Sequence, residues 1–448
     1  MTRSLDALTD QLLKAAADAG ADAADAMAVQ GTSVSVDVRA GALEHAERSE
    51  GVDIGLRVFV GRRVANVSAS DISERTISEM AVRAVAMARE APEDAYAGLA
   101  DPEQLVQDWD VDVLELADPT PEPDAATLED NARRAEAAAL EQDGISQVSQ
   151  TSAAYGARQV HIAASNGFAG GYARTDRGIS CVAIAGTGAG MERDYSGDGR
   201  IFQADLRSPE EIGREAAERA IARLNPRKPR TGTYPVLFDE RVSSTLIGHL
   251  LSAVNGAAIA RGSSWLLGAL GEKILPDDLS LIEDPHRPRC SASRPFDAEG
   301  LPTTRRAIVD GGVLTGWTLD LATGRKLGMP STGNAARGTS SGPSPSIWNV
   351  ELTQGTASRD DLIRDMGTGL LVTSMIGSTI NPNTGDYSRG AAGLWVENGE
   401  ITHAVNECTI AGNLRDMLLA IVPANDARTH LSRVVPSLLV PGMTLAGS

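Results

Sequence analysis

Residues 33–70 read SVSVDVRAGALEHAERSEGVDIGLRVFVGRRVANVSAS. Apolar and polar residues alternate through VSVDVR (34–39), ALEHAE (42–47), VDIGLRVFV (52–60) and RVANVSAS (63–70), with short glycine-containing turns between them. A period of two sends successive side chains to opposite faces, so the stretch predicts an antiparallel meander with one face on a core. Upstream, over residues 4–29, Leu5, Leu8, Leu12, Leu13 and Ala16 recur at helical spacing and predict one or two opening helices. Downstream, Asp71 reads as a helix cap with Glu74 completing a capping box, and Ile77, Met80, Val85 and Ala88 supply the apolar stripe.

Asp118-Pro119-Thr120-Pro121-Glu122-Pro123 is a stiff connector, because proline breaks both helix and ladder. An Ala- and Glu-rich helix is predicted over 124–142, and alternating strands with glycine turns from Ile145 to about Asp205. Ser208-Pro209-Glu210-Glu211 opens another capped helix. Asn225-Pro226-Arg227-Lys228-Pro229-Arg230 reads as the main boundary. Beyond it come the strand YPVLFD, one long helix over about 241–260, and a strand-rich remainder full of glycine. The fold class is therefore α+β, with antiparallel sheets flanked by helices. Three domains are expected, over 1–117, 118–226 and 227–448. The first is an N-terminal domain mixing helices and strands, and the last is Gly-rich. Whether the meander and the 145–205 strands share a sheet is open at this point.

Composition narrows the function. A chain of 448 residues with 42% hydrophobic and 23% charged residues is globular, and too long for one core. Lys plus Arg number 41 and Asp plus Glu 60, a net charge of −19 that argues against a nucleic-acid footprint. Three widely spaced cysteines form no disulfide framework and no CxxC pair. The N-terminus carries acids throughout and no apolar core, unlike a signal peptide. The least polar stretch, around Leu246–Leu275, is interrupted by His249, Asn255, Arg261 and Glu272, whereas a span needs about 20 mostly apolar residues. A cytoplasmic location without membrane partners is expected.

No constellation of residues builds a catalytic centre. His249 is alone on its helix, without a second histidine or an adjacent glutamate base. His403 and Cys408 lie an odd number of residues apart on one strand and so point to opposite faces. His161 sits in a strand opposite Val160 and Ile162, and His286 in a polar loop. The G-x-S-x-G match at 338–342 runs into Pro343 and Pro345, where a nucleophile elbow needs a helix. Gly186–Gly190 lacks the Lys-Ser/Thr ending of a phosphate loop. Two stretches stand out instead. They are Ala260–Trp265, and the glycine-rich loop from Gly377 to Gly393 that carries Asp386, Tyr387, Ser388 and Arg389 ahead of a strand at Leu394.

RGSSWLLGALGEKI (261–274), RPFDAEGLPT (294–303), RKLGMPSTGNAARG (325–338), TGDYSRGAAGLWVENGEITHAVNECTIAGNL (384–414) and PSLLV (436–440), with VDIGLRVFVGRRVANVSASD (52–71), resemble the TldD/PmbA family on its PmbA, or TldE, side. The resemblance covers nearly the whole chain. It implies a subunit of a heterodimeric zinc metallopeptidase that trims unfolded or extended peptides, processes a peptide-antibiotic precursor and degrades an antitoxin. In the TldD-type subunit the resemblance puts zinc on an H-E-x-x-x-H helix and a later cysteine. Aligned from Arg261-Gly262, those helix positions are Ile247, Gly248 and Ser252 here, and a gapped alignment recovers only His249. After Asn425 no cysteine follows. The reading is a partner that holds no metal and has no catalytic residue of its own, with zinc in the TldD-type chain. Its candidates for contact with substrate or partner are His249, Arg261, Gly262, Asp386, Tyr387, Ser388 and Arg389. A binding or regulatory protein of the gyrase- or antitoxin-modulator kind is the alternative, ahead of an autonomous hydrolase.

Overall fold

The computed structural model describes residues 3–447, with backbone alone at Ser378 and Thr379. Helix α1 (Leu5–Asp18) precedes strands β1 (Ala23–Arg39), β2 (Ala42–Val60) and β3 (Arg63–Ala69), then helix α2 (Glu74–Glu90). Helix α3 (Ala125–Leu140) leads into β4 (Ile145–Ala164), β5 (Ala169–Ala185) and β6 (Glu192–Arg200), and α4 (Pro209–Ile221) follows. All six strands form one antiparallel sheet in the order β3-β2-β1-β4-β5-β6, joined where β1 pairs with β4. The elements on either side of the proline connector thus share a single sheet.

Three local expectations change. Only one helix opens the chain, and residues 23–29 are strand. Alanines at 24, 26 and 28 alternate inward there, and their strong helix propensity disguises the period of two. ALEHAE and VDIGLRVFV are one continuous strand, because Gly51 pairs with Gly31 inside the ladder and makes no turn. The cap of α2 is Ser73, whose hydroxyl accepts from the Thr76 amide at 3.2 Å, so Asp71 and Glu74 do not form a capping box. Asp71 instead accepts from the Ser73 amide at 2.9 Å. The box at Ser208 and Glu211 does form, as the Ser-Pro-Glu-Glu pattern predicts.

The sheet has two unlike faces. Ile54, Leu56 and Val58 of β2 face α1 and α2, and Val34, Val36 and Val38 face α3 and α4. The opposite face turns toward the second half of the chain and is pinned there by ion pairs. Arg57 donates to Asp25 at 2.7 Å, and Arg337 from the other half pairs with the same carboxylate. Buried charges persist only when paired in this way.

The second half opens with β7 (Gly232–Phe238), followed by α5 (Glu240–Ala253) and α6 (Gly256–Arg261). The expected single helix over 241–260 is two helices. Val254 ends the first, and Asn255 caps the second, accepting from the Ala257 amide at 2.9 Å. A sheet ordered 400–413, 386–397, 369–380, β7, 438–446 and 422–423 closes on itself through a further pairing of 400–413 with 438–446. Val236, Phe238, Leu370 and Val372 face α5 in the largest core, while Leu237, Leu371 and Val396 face the short helix Arg359–Met366. A smaller five-stranded sheet includes 281–283, 306–310 and 350–352. The class is α+β with antiparallel sheets flanked by helices, as the alternating patterns predict. The parallel pairings are β7 with 369–380 and 350–352 with 433–434.

Candidate functional site

Helix α5 buries Leu246, Ile247, Leu250 and Leu251 in the main core, which leaves His249 on its half-buried flank. Opposite it stands the glycine-rich segment, which forms a β-hairpin and not a long loop before Leu394. Strand 369–380 turns through 381–385 into strand 386–397. Glycine conceals that strand in the sequence, yet the fold requires it. A Cβ on Gly393 would lie 1.9 Å from the Leu371 carbonyl oxygen.

The hairpin aims Tyr387 and Arg389 at α5, since they lie two apart on one strand. The Tyr387 ring meets the His249 ring edge-on, with centroids 5.9 Å apart. Its hydroxyl donates to the Met375 sulfur at 3.4 Å, and burial pushes its pKa up to about 12. Arg389 donates from Nε to the Gly377 carbonyl at 2.7 Å. Burial first, and the Arg389 cation second, hold the His249 imidazole below its ordinary pKa. Its Nε2 is buried without a hydrogen-bond partner. The cluster thus packs a neutral imidazole, an un-ionised phenol and the Arg389 guanidinium together, with the Arg433 guanidinium beside Gly248, and is poor in acid or base capacity.

The other four candidates do not join this cluster. Asp386 is exposed and stapled into the hairpin turn, accepting from Thr384 at 2.6 Å and Asn413 at 3.1 Å. Ser388 pairs with Thr379 and Ala411 in the ladder. Arg261 is exposed at the end of α6, and Gly262 ends that helix with a positive φ of 71°. Trp265 brings the two unusual stretches together, for a Cβ on Gly385 would sit 3.4 Å from its ring. Ser264 is structural, donating to the Ala253 carbonyl at 2.6 Å.

The helix positions that the family resemblance implies for zinc offer no ligand set. Ile247 is fully buried among apolar residues, Gly248 has no side chain, and the Ser252 hydroxyl donates to the Gly248 carbonyl at 2.9 Å. Among the described residues no group of three or more His, Cys, Asp and Glu is arranged to hold a metal. Cys408 is buried against the Ala391 carbonyl, and Cys181 and Cys290 are also buried and free. His161 is held by the Thr9 hydroxyl at 2.9 Å, and His286 by Thr303 at 3.0 Å. Gly338–Gly342 leads into no helix.

A second feature escaped the sequence reading. Arg158, Arg174, Arg294 and Arg337 gather in a cavity of about 930 Å³ between the open face of the six-stranded sheet and the second half. The first two are strand residues whose meeting depends on register, and local patterns carry no sign of it.

Fold and site together define a multi-sheet α+β protein with a ligand-sized cavity between its halves. Three family profiles match in order: PmbA/TldA metallopeptidase domain 1 over residues 24–88, the central domain over 117–224 and the C-terminal domain over 231–447. The chain is 39% identical to Metalloprotease PmbA of Escherichia coli O157:H7, covering 95% of this chain and 92% of that protein. It is 38% identical to a Metalloprotease PmbA homolog of Haemophilus influenzae, over 93% and 90% of the two chains. A crystal structure from Bacteroides thetaiotaomicron, named for modulation of DNA gyrase, is 28% identical with a TM-score of 0.89, covering 99% of this chain and 98% of that one. TldE from Thermococcus kodakarensis shares the fold, with a TM-score of 0.85 at 20% identity over 98% and 100% of the two chains. The chain belongs to the PmbA/TldD metallopeptidase family.

Proposed function

We propose that this chain is the metal-free partner in a cytoplasmic two-chain peptidase, with zinc on a TldD-type subunit. What supports the reading is the chemistry of α5, where the positions that the family resemblance equates with the metal helix hold Ile247, Gly248 and Ser252. A catalytic zinc needs about three protein ligands and an open position for water. One imidazole cannot hold the ion or acidify its water.

The chain's own part is to form a wall of the chamber in which extended or unfolded peptides are cut. Strand 369–380 supports this role. It pairs with β7 only over Leu370–Val372, while its pairing with 386–397 continues to Ile380. The outer edge beyond Val372 is therefore open on one side, and Ile376 there is 75% exposed. An open edge binds an extended chain through backbone hydrogen bonds, tolerant of side-chain identity. His249, Tyr387 and Arg389 lie on the same hairpin-and-helix unit and brace it from within. Arg261 and Gly262, with Asp386 and Ser388 at the hairpin turn, complete the surface offered to partner or substrate.

The test is co-expression with the TldD-type chain of the same organism. A stable complex should form, and cleavage of an unstructured peptide should require both chains. Full cleavage by the TldD-type chain alone, unchanged when this chain is added, would refute the proposal.

A further inference from the structure

The cavity between the sheet and the second half concentrates cations in a chain whose net charge is −19. Arg158 and Arg174 are direct cross-strand partners in the β4–β5 ladder. Like charges in that relation are destabilising, so an uncompensated pair calls for a reason. Among the described residues neither forms an ion pair with a carboxylate. Arg174 donates to the carbonyls of Ser291 and Ser293, the latter at 3.4 Å, and Arg158 is exposed without a hydrogen-bond partner. Arg294 approaches from the other half, donates to the Ser293 carbonyl at 2.7 Å and lies over the Trp348 ring at 5.3 Å.

Burial and then Arg294 push Arg174 down to about 10, and Asp176 offsets this only in part. The other acids of the walls are committed elsewhere. Asp53 accepts from Ser70 at 2.6 Å, and Asp297 from the amides of Glu299, Leu301 and Ala335. Arg337 meets the cavity through its backbone, for its side chain is fully buried against Asp25. The floor beside Arg158 is Gly31 and Gly51, paired with each other, and a Cβ on Gly51 would meet nothing within 4 Å.

We propose that this cavity is a binding site for an oxyanion group, a carboxylate or phosphate, received by Arg158, Arg174 and Arg294. Guanidinium groups match such oxygens with paired, charge-assisted hydrogen bonds. Tyr172 and Phe296, ring centroids 5.8 Å apart, line the same cavity and offer an apolar surface to the body that carries the group. The volume lies in the range of small-ligand and short-peptide sites. Two sources share this chemistry: the side chains of an acidic peptide, and a small phosphorylated or carboxylated molecule. The site stands whether or not the chain works with a zinc subunit.

Titration calorimetry on the full chain tests it with three probes: a hexapeptide alternating alanine and glutamate, the same peptide with lysine for glutamate, and inorganic phosphate. The acidic peptide, phosphate or both should bind, while the lysine peptide should not. Binding of the acidic peptide alone assigns a peptide source, and binding of phosphate alone a small-molecule source. Arg158→Gln and Arg294→Gln, each checked for an unchanged circular-dichroism spectrum, should each weaken the bound probe by about tenfold or more. Arg158 is exposed, so its replacement leaves the fold intact. The proposal is overturned if neither anionic probe binds more tightly than the lysine peptide. It is equally overturned if binding survives both substitutions.

Discussion

Helix α5 and the open face of the N-terminal sheet have opposite chemistry. Around α5, the positions that the family resemblance equates with a metal helix hold a buried isoleucine, a glycine and a serine bonded to its own backbone. Burial keeps the His249 imidazole and the Tyr387 phenol neutral there, with the Arg389 and Arg433 guanidinium groups close by. On the sheet face Arg158 and Arg174 stand as cross-strand partners, and among the described residues neither has an ion pair with a carboxylate. The contrast sets a packed, buried cluster beside α5 against an open cluster of guanidinium groups on the sheet.

The largest expected effect is at the ion-pair cluster that joins the sheet face to the second half. Asp25→Ala leaves Arg57 and Arg337 buried without their shared carboxylate and should cost about 3–5 kcal/mol, read by denaturant unfolding. A loss below about 1 kcal/mol would mean that the halves are not held by this cluster. Next is the hairpin beside α5. Gly393→Ala drives a methyl group into the Leu371 carbonyl and should cost about 3 kcal/mol, whereas Gly51→Ala on the open face meets free space and should cost under about 1 kcal/mol. Equal losses at the two glycines would erase the distinction between a packed α5 region and an open sheet face.

A pH effect separates the regions further. His249 has a folded-state pKa below the ordinary imidazole value, so the unfolded chain binds more protons in mildly acidic solution. Stability contributed by neutral His249 is fully present above about pH 6.5 and is lost as pH falls toward the folded-state value. Between about pH 7 and 5, His249→Phe should therefore lose less stability than the unsubstituted chain. A parallel decline of the two would show that His249 is not held neutral by its surroundings. The smallest effect belongs to the cross-strand arginines. With no ligand present, Arg158→Gln relieves repulsion and should raise stability by up to about 0.5 kcal/mol at low salt, the gain shrinking as salt rises.

Much of this architecture was readable from period and punctuation. The meander, the capped α4 and the strand at Gly232–Phe238 follow from alternation, Ser-Pro-Glu-Glu and a short apolar run. Errors arose where small residues blur the signal. Alanine in Ala23–Val29 and glycine in Asp386–Gly393 fit a strand only because neighbouring backbones come close, and that closeness is tertiary. The site divides in the same way. His249, Tyr387 and Arg389 were singled out as separate candidates and meet in space, whereas Arg158 and Arg174 become a pair only through a register set by the whole sheet.

The central claim is that α5 cannot hold zinc, and metal analysis of the purified chain tests it most directly. Dialysed against zinc buffered at low free concentration, the chain alone should retain far less than one ion per molecule, and a complex with the TldD-type chain about one per pair. About one tightly held zinc on this chain alone, lost with His249→Phe, would contradict the account.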